Sequence, residues 1–325
     1  MKLHLQATTL STLLLLLHSC KDADEVPQGN APGYTPILVA AEPLPPVVRS
    51  YLPTGMCDNF KVYAVSEQAG QQTVVMDGYE VRFVSDSWTY ESPTQPLMYW
   101  SNQANRYLFA AGAPIGAVTS IGASSMTLRL ENNTTESVMA SEPLEVEQDT
   151  PEYGHTVNLR FAYAHCMVKV AFMKNAGADV PITGITLTPG APITSKANVV
   201  VHYNWDNCSY TTQVNAQDHS NAPLHYDDLT IPANTPDVVP STTQYYCVPD
   251  GTNPTGWSVS LSCDGELKST SFENTYTWQG GKCYTYIFSL AEKTPKLVKV
   301  TSQDMYFDCN DILPGGEYSN TDMTE

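Results

Sequence analysis

Strict alternation of apolar and polar residues is the feature that most constrains the fold of this chain. The run Trp257-Ser258-Val259-Ser260-Leu261-Ser262-Cys263-Asp264 alternates for eight residues. Residues two apart lie on one face of a β-strand, so the four apolar side chains would be buried together while the serines face water. A helix would spread the same residues around its circumference, so the run predicts a strand.

Other segments repeat this pattern along the chain. They predict strands at residues 60–65, 79–84, 106–111, 125–130, 182–188, 198–205 and 283–290. Only 15% of the residues are charged, while Thr, Ser, Tyr and Val, which favour strands or their turns, are plentiful. No amphipathic helix longer than three turns is evident, so we expect an all-β protein.

Two local features shape the expected topology. Gly280-Gly281 lies between Tyr276 and Tyr284 and predicts a hairpin, because glycine adopts the positive φ that tight turns need. In residues 156–173 the apolar positions change parity across 164–167, which requires a bulge, a bend or a short helical turn. We interpret this segment as a strand pair or a kinked strand that opens a second domain.

Residues 142–154 have the composition of a linker, with two prolines, five acids and a glycine. We therefore predict one antiparallel β-sandwich domain at residues 47–150 and a second at 151–292. A tail at 293–325 contains a further short alternating segment.

The N-terminus predicts export. One lysine precedes a leucine run at 13–17 that is shorter than the roughly 20 residues needed to span a bilayer, as in a signal peptide. Leu17-His18-Ser19-Cys20 resembles a bacterial lipobox, which implies a signal peptide at 1–19, cleavage before Cys20 and lipid on its thiol. Apart from this covalent lipid on Cys20, no cofactor is expected. The alternative is an ordinary cleaved signal with a chance cysteine.

The segment after Cys20 is interpreted as a tether at residues 20–46, with one strand at 35–41 that could be removable. Residues 21–25, Lys-Asp-Ala-Asp-Glu, resemble the surface-export signal of Bacteroidota lipoproteins, or form a solvated acidic tether. The net charge of −18 argues against binding to nucleic acid or to anionic lipid headgroups.

No catalytic or metal-binding pattern is present, so the chain is not expected to be an enzyme. His219 and His225 lie among acids but without a known ligand spacing, and a polar loop is the simpler interpretation. His165 and Cys166 are neighbours in a strand and would point to opposite faces. The seven cysteines after Cys20 are expected to be mostly reduced and buried, with one or two bridges of open connectivity.

Four segments, taken in order, resemble the fimbrillins, the Bacteroidales pilus subunits that mature from lipoproteins. They are Asp58-Asn59-Phe60-Lys61-Val62-Tyr63-Ala64; Leu97-Met98-Tyr99-Trp100 followed by residues 107–114; residues 157–161 with His165 and 168–172; and residues 278–286. The resemblance covers most of residues 47–292 and implies two tandem transthyretin-like antiparallel β-sandwich domains.

The resemblance also implies a mode of assembly. In fimbrillins an arginine-specific protease removes an N-terminal strand, and a strand of a neighbouring subunit fills the vacated groove. Arg49 and Ser50 would flank that cut, although Arg49 could equally be a plain surface residue. Leu297, Val298 and Val300 are the candidate donor-strand residues.

We therefore expect a structural or adhesive fimbrial subunit on the cell outer membrane, exposed at the surface and incorporated into a fimbrium. Its partners would be other fimbrial subunits, the outer membrane through lipid on Cys20, and a host or bacterial surface ligand, but no nucleic acid. One alternative is a permanently anchored surface lipoprotein that binds a glycan or host ligand. Another is a hydrolase with scattered carboxylates.

Overall fold

The structure is a computed structural model that describes residues 35–41, 58–85, 87–90, 92, 94–174, 177–233, 238–249, 254–291 and 293–305. These residues form 23 strands in five sheets, with a single 3-10 turn at Ile115–Ala117. Most neighbouring strands are antiparallel, so the predicted all-β, antiparallel sandwich class is confirmed.

The strands up to residue 163 are β1 (Val39–Ala41), β2 (Asn59–Gln68), β3 (Gln71–Val84), β4 (Ser87–Thr89), β5 (Arg106–Ala113), β6 (Val118–Ile121), β7 (Ser125–Glu131), β8 (Met139–Ser141), β9 (Leu144–Glu147), β10 (Val157–Leu159) and β11 (Phe161–Tyr163). Those that follow are β12 (Cys166–Met173), β13 (Val180–Pro189), β14 (Ile193–Asn204), β15 (Ser209–Ser220), β16 (Leu224–Tyr226), β17 (Leu229–Ile231), β18 (Val239–Pro240), β19 (Tyr245–Cys247), β20 (Gly256–Cys263), β21 (Glu266–Glu273), β22 (Lys282–Ala291) and β23 (Thr294–Asp304).

The N-terminal sheet has the order β11-β8-β5-β2-β3-β4, and β9 also pairs with β5. Its central strand β5 is buried from Tyr107 to Ala113, because both faces of the sheet are covered. A Cβ added to Gly112 would clash with Met126 of β7, so glycine at this position lets the next sheet pack closely.

A bridging sheet, of order β15-β14-β7-β6, joins the two halves of the chain. β7 pairs with β14 from Glu131↔Lys196 to Ser125↔His202. The structure also places β10 beside β1 and β11 beside β8, in the N-terminal core. Strands from before and after residue 150 therefore share sheets.

The C-terminal core lies between two sheets. The first has the order β18-β12-β22-β23, with β19 also on β12, and the second has the order β16-β13-β20-β21, with β17 also on β13. In β20 the side chains of Trp257, Val259, Leu261 and Cys263 are buried in this core, as the alternation predicts. Two pairings are parallel, β1 with β10 and β12 with β22.

The parity switch predicted across residues 164–167 coincides with a bend between β11 and β12. The predicted hairpin at Gly280-Gly281 is wrong, because β21 and β22 belong to different sheets and residues 274–281 cross between them. The two glycines instead allow the backbone at residues 280–281 to lie close to the bend at residues 164–165. A Cβ on Gly280 would lie 3.0 Å from the Ala164 carbonyl oxygen, and the Gly281 N–H donates to the His165 carbonyl at 2.9 Å.

His165 itself connects the two halves at this bend. Its Nδ1 accepts a hydrogen bond of 3.1 Å from the Val138 N–H. Burial lowers the pKa of His165 to about 4, opposed by the nearby Glu131 carbonyl. The imidazole is therefore neutral near pH 7, and it is a structural element rather than a partner in a nucleophilic pair with Cys166, whose pKa burial raises.

Candidate functional site: the groove filled by residues 35–41

Residues 35–41 lie as an extended segment in a groove of the N-terminal domain. Its first part runs antiparallel to residues 98–100: the Ile37 N–H donates to the Met98 carbonyl at 2.8 Å, and the Trp100 N–H donates to the Thr35 carbonyl at 3.0 Å. Its second part, β1, runs parallel to β10, where the Val157 N–H donates to the Leu38 carbonyl at 2.8 Å. The segment thus pairs through its main chain with two other parts of the chain, residues 98–100 and β10.

Alternate side chains of this segment enter the core. Ile37 and Val39 are 0% and 2% exposed, whereas Leu38 between them is 42% exposed. The buried pair joins a cluster with Phe60, Val62, Met76, Val81, Tyr90, Trp100, Tyr107, Phe109, Val157 and Leu159. Main-chain bonds with pockets for alternate side chains are the pattern by which proteins bind an added strand.

Tyr90 clamps the segment from the side. Its hydroxyl donates to the Ile37 carbonyl at 2.8 Å and accepts from the Met98 N–H at 3.1 Å. The ring packs against Tyr79, with centroids 5.7 Å apart. Tyr90 therefore connects the extended segment to the wall of the groove, a role that the sequence pattern did not reveal.

The floor of the groove is aromatic. Trp100 packs against Tyr107 and Tyr153, with ring centroids 4.8 Å and 4.7 Å apart. Burial, followed by the proximity of Tyr107, raises the pKa of Tyr153 to about 12, and its hydroxyl donates to the Ser101 carbonyl. The floor therefore stays uncharged over the physiological pH range and suits an apolar strand.

An ion-pair network borders the N-terminal sheet. Arg106 of β5 contacts Glu145 of β9 at 2.7 Å and Glu67 of β2 at 3.0 Å. The hydrogen bond from Arg106 is the main reason that the pKa of Glu67 is lowered. These partly exposed pairs tie β9 and β2 to the central strand.

The sequence-predicted site residues fall in two places. Cys20, Arg49 and Ser50 lie outside the described residues. Leu297, Val298 and Val300 lie in β23, which pairs with β22 from Lys282↔Asp304 to Ala291↔Thr294. Leu297 and Val300 pack against the C-terminal core, while Val298 is 52% exposed at a bulge in the pairing.

Candidate metal ligands do not converge in the described part of the chain, where no group of three or more His, Cys, Asp and Glu side chains could hold an ion. His219 lies in β15 and His225 in β16. Among the described cysteines, Cys166, Cys208, Cys247 and Cys263 are free thiols. Within the same residues no helix has the length and apolarity needed to cross a bilayer.

A family model described as fimbrillin-like matches residues 53–304. The chain belongs to the fimbrillin-like family. The resemblance found in the sequence is thereby confirmed. No sequence among the curated proteins matches the chain.

Solved structures show the same fold. A candidate cell adhesion protein from Bacteroides ovatus superposes with a TM-score of 0.52 at 12% identity, covering 83% of this chain and 97% of that chain. A similar protein from Bacteroides uniformis gives 0.50 at 8% identity, with the same coverage. A fimbrial anchor protein from Porphyromonas gingivalis covers 83% and 98% at 11% identity, but its TM-score of 0.32 carries no argument.

Membership in this family identifies a structural pilus subunit of the cell surface that assembles with other fimbrial subunits. It agrees with the expectation that the chain is not an enzyme.

Proposed function

We propose that this fimbrial subunit is assembled by strand exchange at the groove now filled by residues 35–41. The observation that carries the proposal is the position of this segment. It lies N-terminal to Arg49, yet it supplies Ile37 and Val39 to the core of the domain that follows Arg49. Cleavage between Arg49 and Ser50 would separate the segment covalently from the domain that it completes.

The energetics explain why the vacated groove would accept another strand. Burying Ile37 and Val39 contributes roughly 1.5–3 kcal/mol each, and the main-chain donors and acceptors of residues 98, 100 and 157 would lose their partners. A donor strand with apolar residues two positions apart would restore both contributions. An open groove also exposes strand edges that invite aggregation, so occupancy before cleavage protects the precursor.

Export as a lipoprotein fits the same sequence of events. Lipid on Cys20 would hold the precursor at the outer membrane, and cleavage after Arg49 would release the subunit from this anchor. A chain that is never cut would instead remain a permanently anchored surface lipoprotein with a self-filled groove.

We propose that the donor lies in the C-terminal tail, residues 293–325. Within this tail, the candidates Leu297, Val298 and Val300 are already paired with β22, so donating them requires β23 to leave its sheet. Two truncations distinguish the parts of the tail. Ending the chain at Met305 keeps β23 and removes the rest, whereas ending it at Glu292 removes both. If β23 is the donor, the Met305 variant polymerises and the Glu292 variant does not.

Arginine substitution tests the proteolytic step. We expect Arg49→Ala to abolish heat-resistant ladders in SDS gels, while the control Arg129→Ala, at an exposed position of β7, leaves them intact. Ladders formed normally by Arg49→Ala would overturn cleavage at this position.

Peptide competition tests the groove directly. A peptide of residues 35–41 should inhibit polymerisation of the cleaved subunit, and the same peptide with Ile37→Asp and Val39→Asp should not. Equal effects of the two peptides would overturn the groove as the site of exchange.

A further inference from the structure

Two cysteines face each other across neighbouring strands of the first C-terminal sheet. Cys166 is the first residue of β12 and Cys247 is the last residue of β19, and the antiparallel register makes them direct partners. Both side chains are 0% exposed and belong to the C-terminal core, so they lie on the same face of the sheet. The Cys166 thiol donates to the Cys247 carbonyl at 3.4 Å. The two side chains are therefore adjacent in the core.

The type of pairing determines the backbone separation of the two cysteines. The N–H and the carbonyl of Tyr246 both bond to Asn133, on the side of β19 away from β12. Because these groups alternate in direction along a strand, those of Cys247 point toward β12, and Cys166 and Cys247 form a hydrogen-bonded pair. The Cα atoms of such a pair are about 5.5 Å apart, and disulfides most often span about 5.5–6 Å. A bond between the two sulfurs is therefore within reach of side-chain rotation.

The other described cysteines lie in different parts of the fold. Cys263 ends β20, in the second sheet of the C-terminal core, and Cys208 directly precedes β15 of the bridging sheet. Cys283 packs in a separate cluster, on the other face of the first sheet. Among the described cysteines, the strand register thus points to Cys166 and Cys247 as partners.

The pair lies where the chain passes between its two halves. His165, directly before Cys166, accepts a hydrogen bond from the Val138 N–H. Val248, directly after Cys247, is buried in the same cluster as Val138, beside the bridging sheet. A bond at this position would join the two segments that connect the C-terminal core to the N-terminal half.

We propose that Cys166 and Cys247 are joined by a disulfide in the exported protein. The inference rests on the export proposed above, because compartments outside the cytoplasm permit disulfides. One thiolate attacks a disulfide of an oxidising protein or of glutathione and forms a mixed disulfide. The other thiolate then displaces this adduct, so the chain gains one S–S bond and the oxidant leaves as two thiols, having taken up two electrons and two protons.

The bond has a consequence for a structural subunit. Cys166 and Cys247 are 81 positions apart, and most strands of the second C-terminal sheet, together with β14 and β15, lie between them. A filament subunit that carries the bond holds this length of chain in a closed loop, so a pulling force on the filament cannot extend it.

Burial determines when the bond can form. It raises the pKa of both thiols well above the ordinary value, and the proximity of Cys247 raises that of Cys166 further. The thiolate is the reacting species, so the folded, reduced protein should oxidise slowly. The bond should form while the C-terminal core is still open.

Refolding of the full chain tests the pairing outside the cell. The chain is unfolded, reduced, refolded in a glutathione buffer with the disulfide form in excess, quenched with acid and digested without reduction. Mass spectrometry should find the peptides of Cys166 and Cys247 linked in most molecules. The control Cys263→Ala, which removes another buried cysteine of the same core, should give the same linked peptides. Recovery of Cys166 and Cys247 as free or glutathione-modified residues would overturn the pairing and leave export and strand exchange unaffected.

Protein from intact cells, trapped with acid, tests the bond in its native compartment. We expect the same linked peptides. A chain that is linked after refolding but reduced in cells would refute the bond in the exported protein, and it would indicate a reducing location rather than a wrong pairing.

Urea unfolding measures the effect of the bond. Dithiothreitol should lower the unfolding midpoint of the linked protein by roughly 1 M, and Cys263→Ala should keep this shift. Cys166→Ala and Cys247→Ala should each unfold at one midpoint with or without the reductant. An unchanged midpoint in wild-type protein that is shown to be linked would contradict a stabilising role.

Discussion

Truncation of Ile37 provides a sharp test of how residues 35–41 are held in the N-terminal domain. Ile37 is fully buried, while its neighbour Leu38 is 42% exposed. Ile37→Ala and Leu38→Ala therefore remove similar aliphatic groups from the same extended segment, at positions of opposite burial. The second variant is a matched control for any change in the intrinsic flexibility of the segment.

Burial determines the expected magnitudes. Replacing a buried isoleucine by alanine typically costs 2–5 kcal/mol, and the lower end applies where the site can relax. Because the segment lies at an edge and can detach, we expect Ile37→Ala to weaken its docking by about 2–3 kcal/mol. Leu38→Ala should cost less than about 1 kcal/mol.

Amide hydrogen exchange at Val157 reports this docking, because its N–H donates to the Leu38 carbonyl. At about 1.4 kcal/mol per tenfold change, Ile37→Ala should accelerate exchange at Val157 by roughly 30–140-fold. The Ser241 amide, which donates to Val170 in the C-terminal domain, should exchange at the wild-type rate. Equal acceleration by both variants, or none by Ile37→Ala, would refute a core role for this segment.

Three further predictions concern the scaffold around the groove. His165 stays neutral in the folded protein but is protonated near pH 6.5 in the unfolded chain. The free energy of unfolding should therefore keep its maximal contribution from His165 above pH 6.5 and fall by about 3 kcal/mol toward pH 4. In urea titrations the His165→Gln variant should lack this pH-dependent loss, and a pH profile identical to that of the wild type would contradict the prediction. Gly112→Ala should destabilise by about 1–3 kcal/mol through overpacking against Met126, whereas Gly116→Ala, with open space around its Cβ, should be near neutral in the same titration; similar losses would contradict this. Arg106→Met should raise the pKa of the Glu67 carboxyl toward its ordinary value in an NMR titration, because the hydrogen bond that lowers it is lost, and an unshifted pKa would disprove the pairing.

Local patterns predicted the strands well. The alternation at residues 257–264 corresponds to β20 (Gly256–Cys263), whose alternate residues are buried. The sequence also predicts a strand at 35–41, and β1 (Val39–Ala41) lies within it. Period-two burial is a local property that a short window of sequence contains.

Long-range pairing was not predictable in the same way. Nothing in the composition of residues 125–131 indicates that β7 pairs with β14, some seventy residues later. The glycines at 280 and 281 have the chemistry of a hairpin, but they serve a close approach to the bend at 164–165. The same residue types satisfy both requirements, so only the three-dimensional structure distinguishes them.

The candidate site combines both situations. The apolar residues at 37–41 favour an extended segment, but because all five are apolar the sequence does not indicate that Leu38 is the exposed one. In contrast, the parallel partner β10 and the clamp by Tyr90 depend on residues more than fifty positions away.

N-terminal sequencing of subunits purified from assembled filaments tests strand exchange most directly. If residues 35–41 leave the groove before a neighbour enters it, filament subunits begin at Ser50 and lack the peptide of residues 35–41. Filaments whose subunits begin at Cys20 and retain this peptide would contradict exchange at the groove.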